Sequence, residues 1–313
     1  MTDHAFLFPG QGSQKVGMLA EAAEALPEVS ATFTSASEVL GYDLWALCQE
    51  GPQEELNLTE VTQPLLLTSS VALWRAWSAQ NGSQPAYFAG HSLGEYSALV
   101  CAGVLGFEDA VALVRNRGRY MQEAVPVGTG AMSAILGLDD SVVDTFCREH
   151  SEEGAVVEAV NFNSPGQVVI AGHKEAVEAA GARLKEAGAR RVAALPVSAP
   201  FHTSLMRPAG ERLAADMGQI TFSAPTVPVV HNVNAKAETD PAKIRELMVQ
   251  QTSSPVLWTS CVNAIISEGI ASFSECGPGK VLSGLVKKIS RDSEVAALEA
   301  VDVLKSRYVE VAE

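Results

Sequence analysis

A serine set between glycines, Gly90-His91-Ser92-Leu93-Gly94, has the pattern G-x-S-x-G, in which a sharp strand-to-helix turn lifts a hydroxyl out of the backbone as a nucleophile. The context fits. Ala86-Tyr87-Phe88-Ala89 reads as a short buried strand, and residues 95–101 read as the start of a helix. Glycine on both flanks permits the tight turn and the close approach of neighbouring elements, and the positive end of the following helix faces the serine. Ser92 is the candidate nucleophile.

A serine needs a base, and the chain offers His4, His91, His150, His173, His202 and His231. In elbow enzymes the base follows the nucleophile and rides on a loop after a later strand, which favours His202 in Ser198-Ala199-Pro200-Phe201-His202. His91 adjoins the nucleophile, so its ring points elsewhere and supports the turn. His150 and His173 read as surface residues, and His231 as a core histidine at a strand end. No acidic residue is placed to complete a triad, so a carbonyl or an amide is left to orient the imidazole. Two other glycine-rich stretches fail as nucleotide motifs. Gly10-Gln11-Gly12 has Lys15 where a dinucleotide fingerprint needs its third glycine. Gly277-Pro278-Gly279-Lys280 has Ser274 where a P-loop begins with glycine, and Val281 in place of the magnesium-binding hydroxyl.

These residues must be held by an α/β framework. Residues 4–8 read as a buried strand and 16–26 as a helix, and helical patterns then run to Gln80, with a long apolar segment over 65–77. Residues 107–123 are helical in period, and Pro126-Val127-Gly128-Thr129-Gly130 marks a boundary. Beyond it come strand 132–138, helix 139–150, strands 155–161 and 167–171, helix 174–187 and strand 191–195, the β-α-β-β-α-β order of a ferredoxin-like unit. Alternation then resumes, with strands at 227–231 and 272–276. The fold expected is a large α/β-hydrolase-like domain with a parallel sheet, residues 1–125 and 198–313, carrying an inserted ferredoxin-like subdomain, residues 126–197.

With 313 residues, 47% hydrophobic and 19% charged, the chain has the composition of a globular protein with a large core. The formal charge of −15 argues against a nucleic-acid partner, whose phosphates need a basic surface. No apolar run is long enough for a membrane span, and Met1-Thr2-Asp3-His4 lacks a secretory signal's basic region, so the location expected is cytoplasmic. The five cysteines are scattered without a C-x-x-C pair, which indicates buried thiols rather than disulfides or a metal site.

Taken together, the motifs resemble one family, the malonyl-CoA:acyl carrier protein transacylases of bacterial fatty-acid synthesis. The resemblance rests on Gly10-Gln11-Gly12-Ser13-Gln14, Gly90-His91-Ser92-Leu93-Gly94-Glu95-Tyr96, Arg117-Gly118-Arg119-Tyr120-Met121-Gln122 and Gly128-Thr129-Gly130-Ala131-Met132. It continues through Asn161-Phe162-Asn163-Ser164-Pro165-Gly166-Gln167, His202 and Gly277-Pro278-Gly279-Lys280-Val281-Leu282, in order and over nearly the whole chain. It implies malonyl-CoA and acyl carrier protein as partners, an acyl-serine intermediate on Ser92, and His202 as its base, with no metal or redox cofactor and coenzyme A thioester only as substrate. It further implies oxyanion donors in the backbone of Gln11 and Leu93, the main-chain carbonyl of Gln251 orienting His202, and Arg117 holding the malonyl carboxylate.

Gln251 is preferred to Gln250 because it lies four residues before Pro255, as in the family. Without the resemblance, Arg117 would pass for one of three exposed helix arginines with Arg115 and Arg119; Met121, four residues on, either lines the pocket or packs in the core. Phe201 departs from the small residue that many bacterial relatives carry before the base, and resembles malonyl-selective polyketide synthase domains. Its ring leaves little room for an α-methyl branch. For an acidic carrier protein to dock on so acidic a chain, a local basic patch is needed, and Arg190-Arg191 and Lys287-Lys288 are the densest candidates. Two competing functions keep the elbow: a serine hydrolase or thioesterase, which leaves Arg117 without a task, and a carrier-docking subunit without turnover.

Overall fold

The structure, a computed structural model, describes residues 4–197 and 199–307. Nine strands are present among them: β1 (His4–Phe8), β2 (Tyr87–Gly90), β3 (Gly130–Leu136), β4 (Val157–Ser164), β5 (Gln167–His173), β6 (Arg191–Ala194), β7 (Val229–Val230), β8 (Ser272–Glu275) and β9 (Glu294–Ala297). They form two sheets.

The larger sheet has the order β7-β2-β1-β8-β9, and every neighbouring pair is parallel. Side chains alternate across a strand, and here both faces are buried. Phe6, Phe8 and Phe88 point into the larger core with Trp74 and Trp77 edge-on around them, while Ala5, Leu7, Ala89 and Phe273 point into a second core. Helices Thr59–Ala79, Leu93–Cys101 and Phe107–Glu123 cover the first face, and helices Trp258–Ser267 and Val281–Ile289 the second. The loops after β1, β2 and β8 leave from the same carboxyl edge, and such an edge is where open parallel sheets bind ligands.

The smaller sheet is antiparallel in the order β4-β5-β3-β6. Its strands alternate with helices Asp140–His150 and Lys174–Glu186, which bury Val143, Cys147, Val177 and Leu184 against one face together with Ile135 and Ile170. The opposite face sends Met132, Val160, Val169 and Ala171 into the larger core. A backbone clamp adds to this contact: Val256 N–H donates to the Val160 carbonyl at 2.8 Å, and Phe162 N–H to the Val256 carbonyl at 3.0 Å. The small sheet thereby roofs the edge where the elbow lies.

Two expected elements are shorter than the sequence pattern indicates. The helix expected over 16–26 is confined to Ala20–Ala25, because Gly17 (φ 81°) and Leu19 (φ 60°) take left-handed backbone and Gly17 N–H is drawn to the Cys48 carbonyl. The strand expected over 227–231 keeps only Val229–Val230; the chain then turns so that His231 N–H bonds the Lys236 carbonyl and Asn232 is delivered beneath the elbow. Strand β9 falls in a stretch that the sequence reading left unassigned.

Candidate active site

Ser92 sits at φ 52°, ψ −106°, between β2 and the Leu93–Cys101 helix. The flanking glycines are needed for space. A Cβ on Gly90 would run into the backbone of Gly94, and a Cβ on Gly94 would run into the carbonyl of Phe8 on the adjoining strand. The turn is held from outside as well, since Ser92 N–H donates to Asn232 Oδ1 at 2.8 Å and Asn232 Nδ2 donates to the Gly90 carbonyl at 2.7 Å. Beside it, His91 pairs its Nε2 with Asn163 Oδ1 of β4 at 2.7 Å, which links the elbow to the small sheet.

His202 arrives from the loop after β6, as chain order predicts, with its own backbone left-handed (φ 65°). Its Nε2 lies 2.7 Å from Ser92 Oγ, and its Nδ1 lies 2.9 Å from the main-chain carbonyl of Gln251. That carbonyl accepts a hydrogen bond from Nδ1–H and so leaves Nε2 as the acceptor facing the serine hydroxyl. Burial, reinforced by the nearby Arg117 charge, pushes the His202 pKa down to about 3, so the ring is a neutral base. Ser92 and His202 both occupy uncommon backbone regions, a strain that the surrounding packing must hold.

Arg117 is 1% exposed, whereas Arg115 and Arg119 on the same helix are exposed. Its Nη1 donates to Gln63 Oε1 and its Nη2 to Gln251 Oε1, each at 2.9 Å, and Nη2 also reaches Ser92 Oγ at 3.3 Å. Cζ lies 5.3 Å from the centre of the Tyr96 ring. Burial pulls the guanidinium below its ordinary pKa, and the Tyr96 and Glu95 sites oppose that shift. Among the described residues no carboxylate stands within ion-pair distance of Arg117, so a buried cation beside Ser92 is held by neutral groups alone.

A cavity of about 180 Å³ joins these groups, lined by Gln11, Ser92, Leu93, Arg117, Met121 and Phe201 among others. Met121 both lines it and is buried, with Sδ 3.9 Å from Gln63 Nε2. The small sheet closes the opposite side with Met132, Asn161, Asn163 and Val169. Phe201 also lines an outer chamber of about 480 Å³ that shares Gln11 and Val197 with the inner one. Leu93 opens its helix, so its N–H has no helical carbonyl to bond, and it faces the same cavity as Gln11.

With this geometry in place, the comparisons with known proteins are direct. Residues 5–306 match the acyl transferase domain family. The chain is 62% identical over 306 residues to the malonyl CoA-acyl carrier protein transacylase of Salmonella typhimurium, covering 96% of this chain and 99% of that one. This chain belongs to the malonyl CoA-acyl carrier protein transacylases. The Bacillus subtilis transacylase is 47% identical over 95% of this chain and 94% of its own length. An acyl carrier protein S-malonyltransferase structure from Vibrio cholerae superposes with a TM-score of 0.95 at 55% identity, covering 97% and 99% of the two chains. A structure described as a type II PKS acyl-carrier protein in complex with its malonyl-transacylase gives 0.96 at 53% identity, covering 98% and 99%.

In this transacylase the two basic pairs named from the sequence lie at one end of the small sheet. Leu136, at the end of β3, pairs with Gln167 on one side and Arg191 on the other, and Lys288 Nζ donates to Gln167 Oε1 at 2.8 Å. Arg190, Arg191, Lys287 and Lys288 are exposed, although Lys287 Nζ is already committed to the Ser293 carbonyl at 2.7 Å. His150 is exposed as expected; His173 is half-buried and accepts the Val156 N–H through Nδ1. Among the described residues no cluster of three or more His, Cys, Asp or Glu is arranged for a metal, and no helix is long and apolar enough to cross a membrane.

Several residues of the transacylase site escaped the sequence reading. Gln63 and Asn232 act by hydrogen bonds across more than fifty residues of chain, which spacing does not reveal. Glu95 was legible only as part of a motif. It is fully buried and meets His231 Nδ1 at 2.6 Å, so the core histidine does have its partner.

Proposed function

We propose that this transacylase moves a malonyl group from malonyl-CoA to the phosphopantetheine thiol of acyl carrier protein, through an ester on Ser92, and so supplies extender units for fatty-acid synthesis. The observation that carries the reading is Arg117: a buried guanidinium without a carboxylate partner among the described residues, 3.3 Å from the hydroxyl that His202 also contacts. A carboxylate is the ligand that answers such a charge, and a planar guanidinium suits it.

In the first half-reaction Ser92 Oγ attacks the thioester carbonyl while His202 Nε2 takes the hydroxyl proton. The N–H groups of Gln11 and Leu93 stabilise the oxyanion, and its collapse breaks the carbon–sulfur bond as His202 returns the proton to the coenzyme A thiolate. The second half-reaction repeats these steps with the carrier's thiol as nucleophile and Ser92 as leaving group. Met121 and Phe201 bound the acyl group, and the Phe201 ring opposes a branch at the α-carbon. The carrier docks on the basic end of the small sheet, at Arg190, Arg191, Lys287 and Lys288, of which Lys288 bonds Gln167 of β5, the strand beside the one whose Asn163 touches His91.

We read the larger part, residues 1–125 and 198–313, as an α/β-hydrolase-like catalytic domain, and residues 126–197 as an inserted ferredoxin-like subdomain. The parallel order and the β-α-β-β-α-β succession with sheet order β4-β5-β3-β6 support both assignments. A thioester is already activated, so no metal or redox cofactor is called for. The five cysteines are free and buried, which suits a cytoplasmic location.

Intact-mass measurement after mixing with malonyl-CoA tests the function. The expected result is a malonyl adduct on the protein, lost in Ser92→Ala and discharged by carrier thiol faster than by water. An undiminished adduct on Ser92→Ala, or hydrolysis that outruns transfer, overturns the reading.

A further inference from the structure

A serine–histidine pair normally draws on an acid, and here His202 is met by a carbonyl instead. An acid is nevertheless present one residue further away. Glu95, three residues after the nucleophile, is fully buried, and its carboxylate collects three nitrogens: His231 Nδ1 at 2.6 Å, Gln251 Nε2 at 2.8 Å and the Asn232 N–H at 3.2 Å. Gln251 is the hub of the site. Its main-chain carbonyl holds His202, its Oε1 accepts from Arg117, and its Nε2 donates both to Glu95 and to the Ser92 carbonyl at 2.8 Å.

A primary amide fits its site in two orientations related by a flip. With Nε2 toward Glu95, the oxygen faces the guanidinium and every contact pairs a donor with an acceptor. Flipped, the oxygen would face the Glu95 carboxylate and the Ser92 carbonyl and the NH2 group would face Arg117, three repulsions in a buried setting. The carboxylate, the charged one of the two acceptors on Nε2, therefore helps to fix which end of Gln251 meets Arg117.

We propose that Glu95 is a positioning residue for the transfer, its carboxylate locking the Gln251 amide so that this single residue aims Arg117 at the acyl carboxylate while it holds His202 on Ser92. The inference rests on the proposed roles of Ser92, His202 and Arg117. Glu95 touches no reacting atom. Its neutral isostere, Glu95→Gln, presents one oxygen and one NH2 group where three donors converge, and weakens the bias on the Gln251 amide, whose NH2 group keeps the Ser92 carbonyl as an acceptor.

The test measures single-turnover acylation by malonyl-CoA and by acetyl-CoA, read by intact mass, in the wild type, Glu95→Gln, Gln251→Leu and the double variant. Glu95→Gln is expected to slow malonyl transfer about tenfold or more and acetyl transfer less, so that the malonyl preference falls. In the Gln251→Leu background the same change is expected to cost less than about twofold, because the residue through which Glu95 acts is gone. A malonyl rate within about twofold of wild type, equal losses for the two acyl groups, or the same cost in both backgrounds overturns the proposal. Should Glu95→Gln fail to fold by circular dichroism, Gln251→Leu decides alone: a tenfold malonyl loss with acetyl spared supports it, and a rate within about twofold overturns it. A wild type that forms no adduct would sink the functional reading itself, an outcome distinct from all of these.

Discussion

Arg117 Nη2 donates to Ser92 Oγ at 3.3 Å, so the group that would hold a carboxylate and the group that would attack a carbonyl are in direct contact. An acyl chain gripped by both must be short, with its carboxylate and its thioester carbonyl separated by a single methylene. Malonyl meets that condition, and succinyl, one methylene longer, must buckle or lose one contact. Malonyl-CoA is expected to acylate Ser92 at least about tenfold faster than succinyl-CoA, since a misplaced reacting atom forfeits much of the advantage of proximity. Competition between the two thioesters, read by the mass on the protein, checks this; equal labelling would mean that the carboxylate is held elsewhere.

Removing the guanidinium gives a second expectation. Leaving one partner of a buried ion pair uncompensated costs on the order of 3–5 kcal/mol, so Arg117→Ala is expected to slow malonyl transfer about a hundredfold or more. Acetyl has no charge to satisfy, and its rate relative to malonyl should rise in the same competition. An unchanged malonyl preference would remove Arg117 from substrate choice.

The depressed pKa of His202 predicts the pH profile. Its value of about 3 lies below the ordinary ~6.5, so the imidazole stays neutral well into the acid range and acylation should not fall as pH drops from 7 to 5. The Arg117 charge is the second cause of the shift after burial, so Arg117→Ala with acetyl-CoA should move the acid limb of kcat/KM upward. A wild-type limb near the ordinary histidine value would contradict this. Stability does respond in that range. Between about 6.5 and about 3 the unfolded chain takes up a proton that folded His202 refuses, so this group's contribution is present above pH ~6.5 and is lost as pH falls through that window.

The elbow itself is testable through Gly94. A methyl group there meets the Phe8 carbonyl, a main-chain atom in the central strand that has no room to yield. Gly94→Ala is expected to destabilise the fold by more than the ~1–3 kcal/mol of an ordinary overpacked core, with a lowered Tm and weak labelling of Ser92. A variant with wild-type Tm and labelling would show that the turn has slack.

Charge reversal tests the docking surface. Arg190→Glu, Arg191→Glu and Lys288→Glu together are expected to slow discharge to the carrier about tenfold or more at low salt, with acylation by malonyl-CoA changed less than about twofold. Lys287 is left out because its ammonium closes the end of its own helix on the Ser293 carbonyl. If added salt leaves the wild-type discharge rate unchanged, the basic end of the small sheet is not the docking surface.

The alternating residues of β1, the Gly90–Gly94 turn and the β-α-β-β-α-β succession were legible in the sequence because each leaves a pattern among near neighbours in the chain, even where, as at Gly94, the space required is set by Phe8 of another strand. A serine between two glycines and the period of apolar side chains are local patterns, and they pointed to Ser92, and through chain order to His202, without the tertiary structure. The end of the first helix at Gly17 and Leu19 was not legible, since the pull on it comes from the Cys48 carbonyl in another segment. Arg117 shows the division most clearly. On the helix it is one of three similar arginines, and composition and period treat all three alike. Only packing of that helix against Gln63, Tyr96 and Gln251 buries one guanidinium and leaves Arg115 and Arg119 in water. The same holds for Glu95, whose partners His231, Asn232 and Gln251 lie 136 to 156 residues away in the chain. Ser92 and its turn are legible in the sequence, whereas the buried Arg117 charge and the Gln251 amide that meets it exist only where distant segments come together and exclude water, because only there does an unpaired charge carry a large free energy.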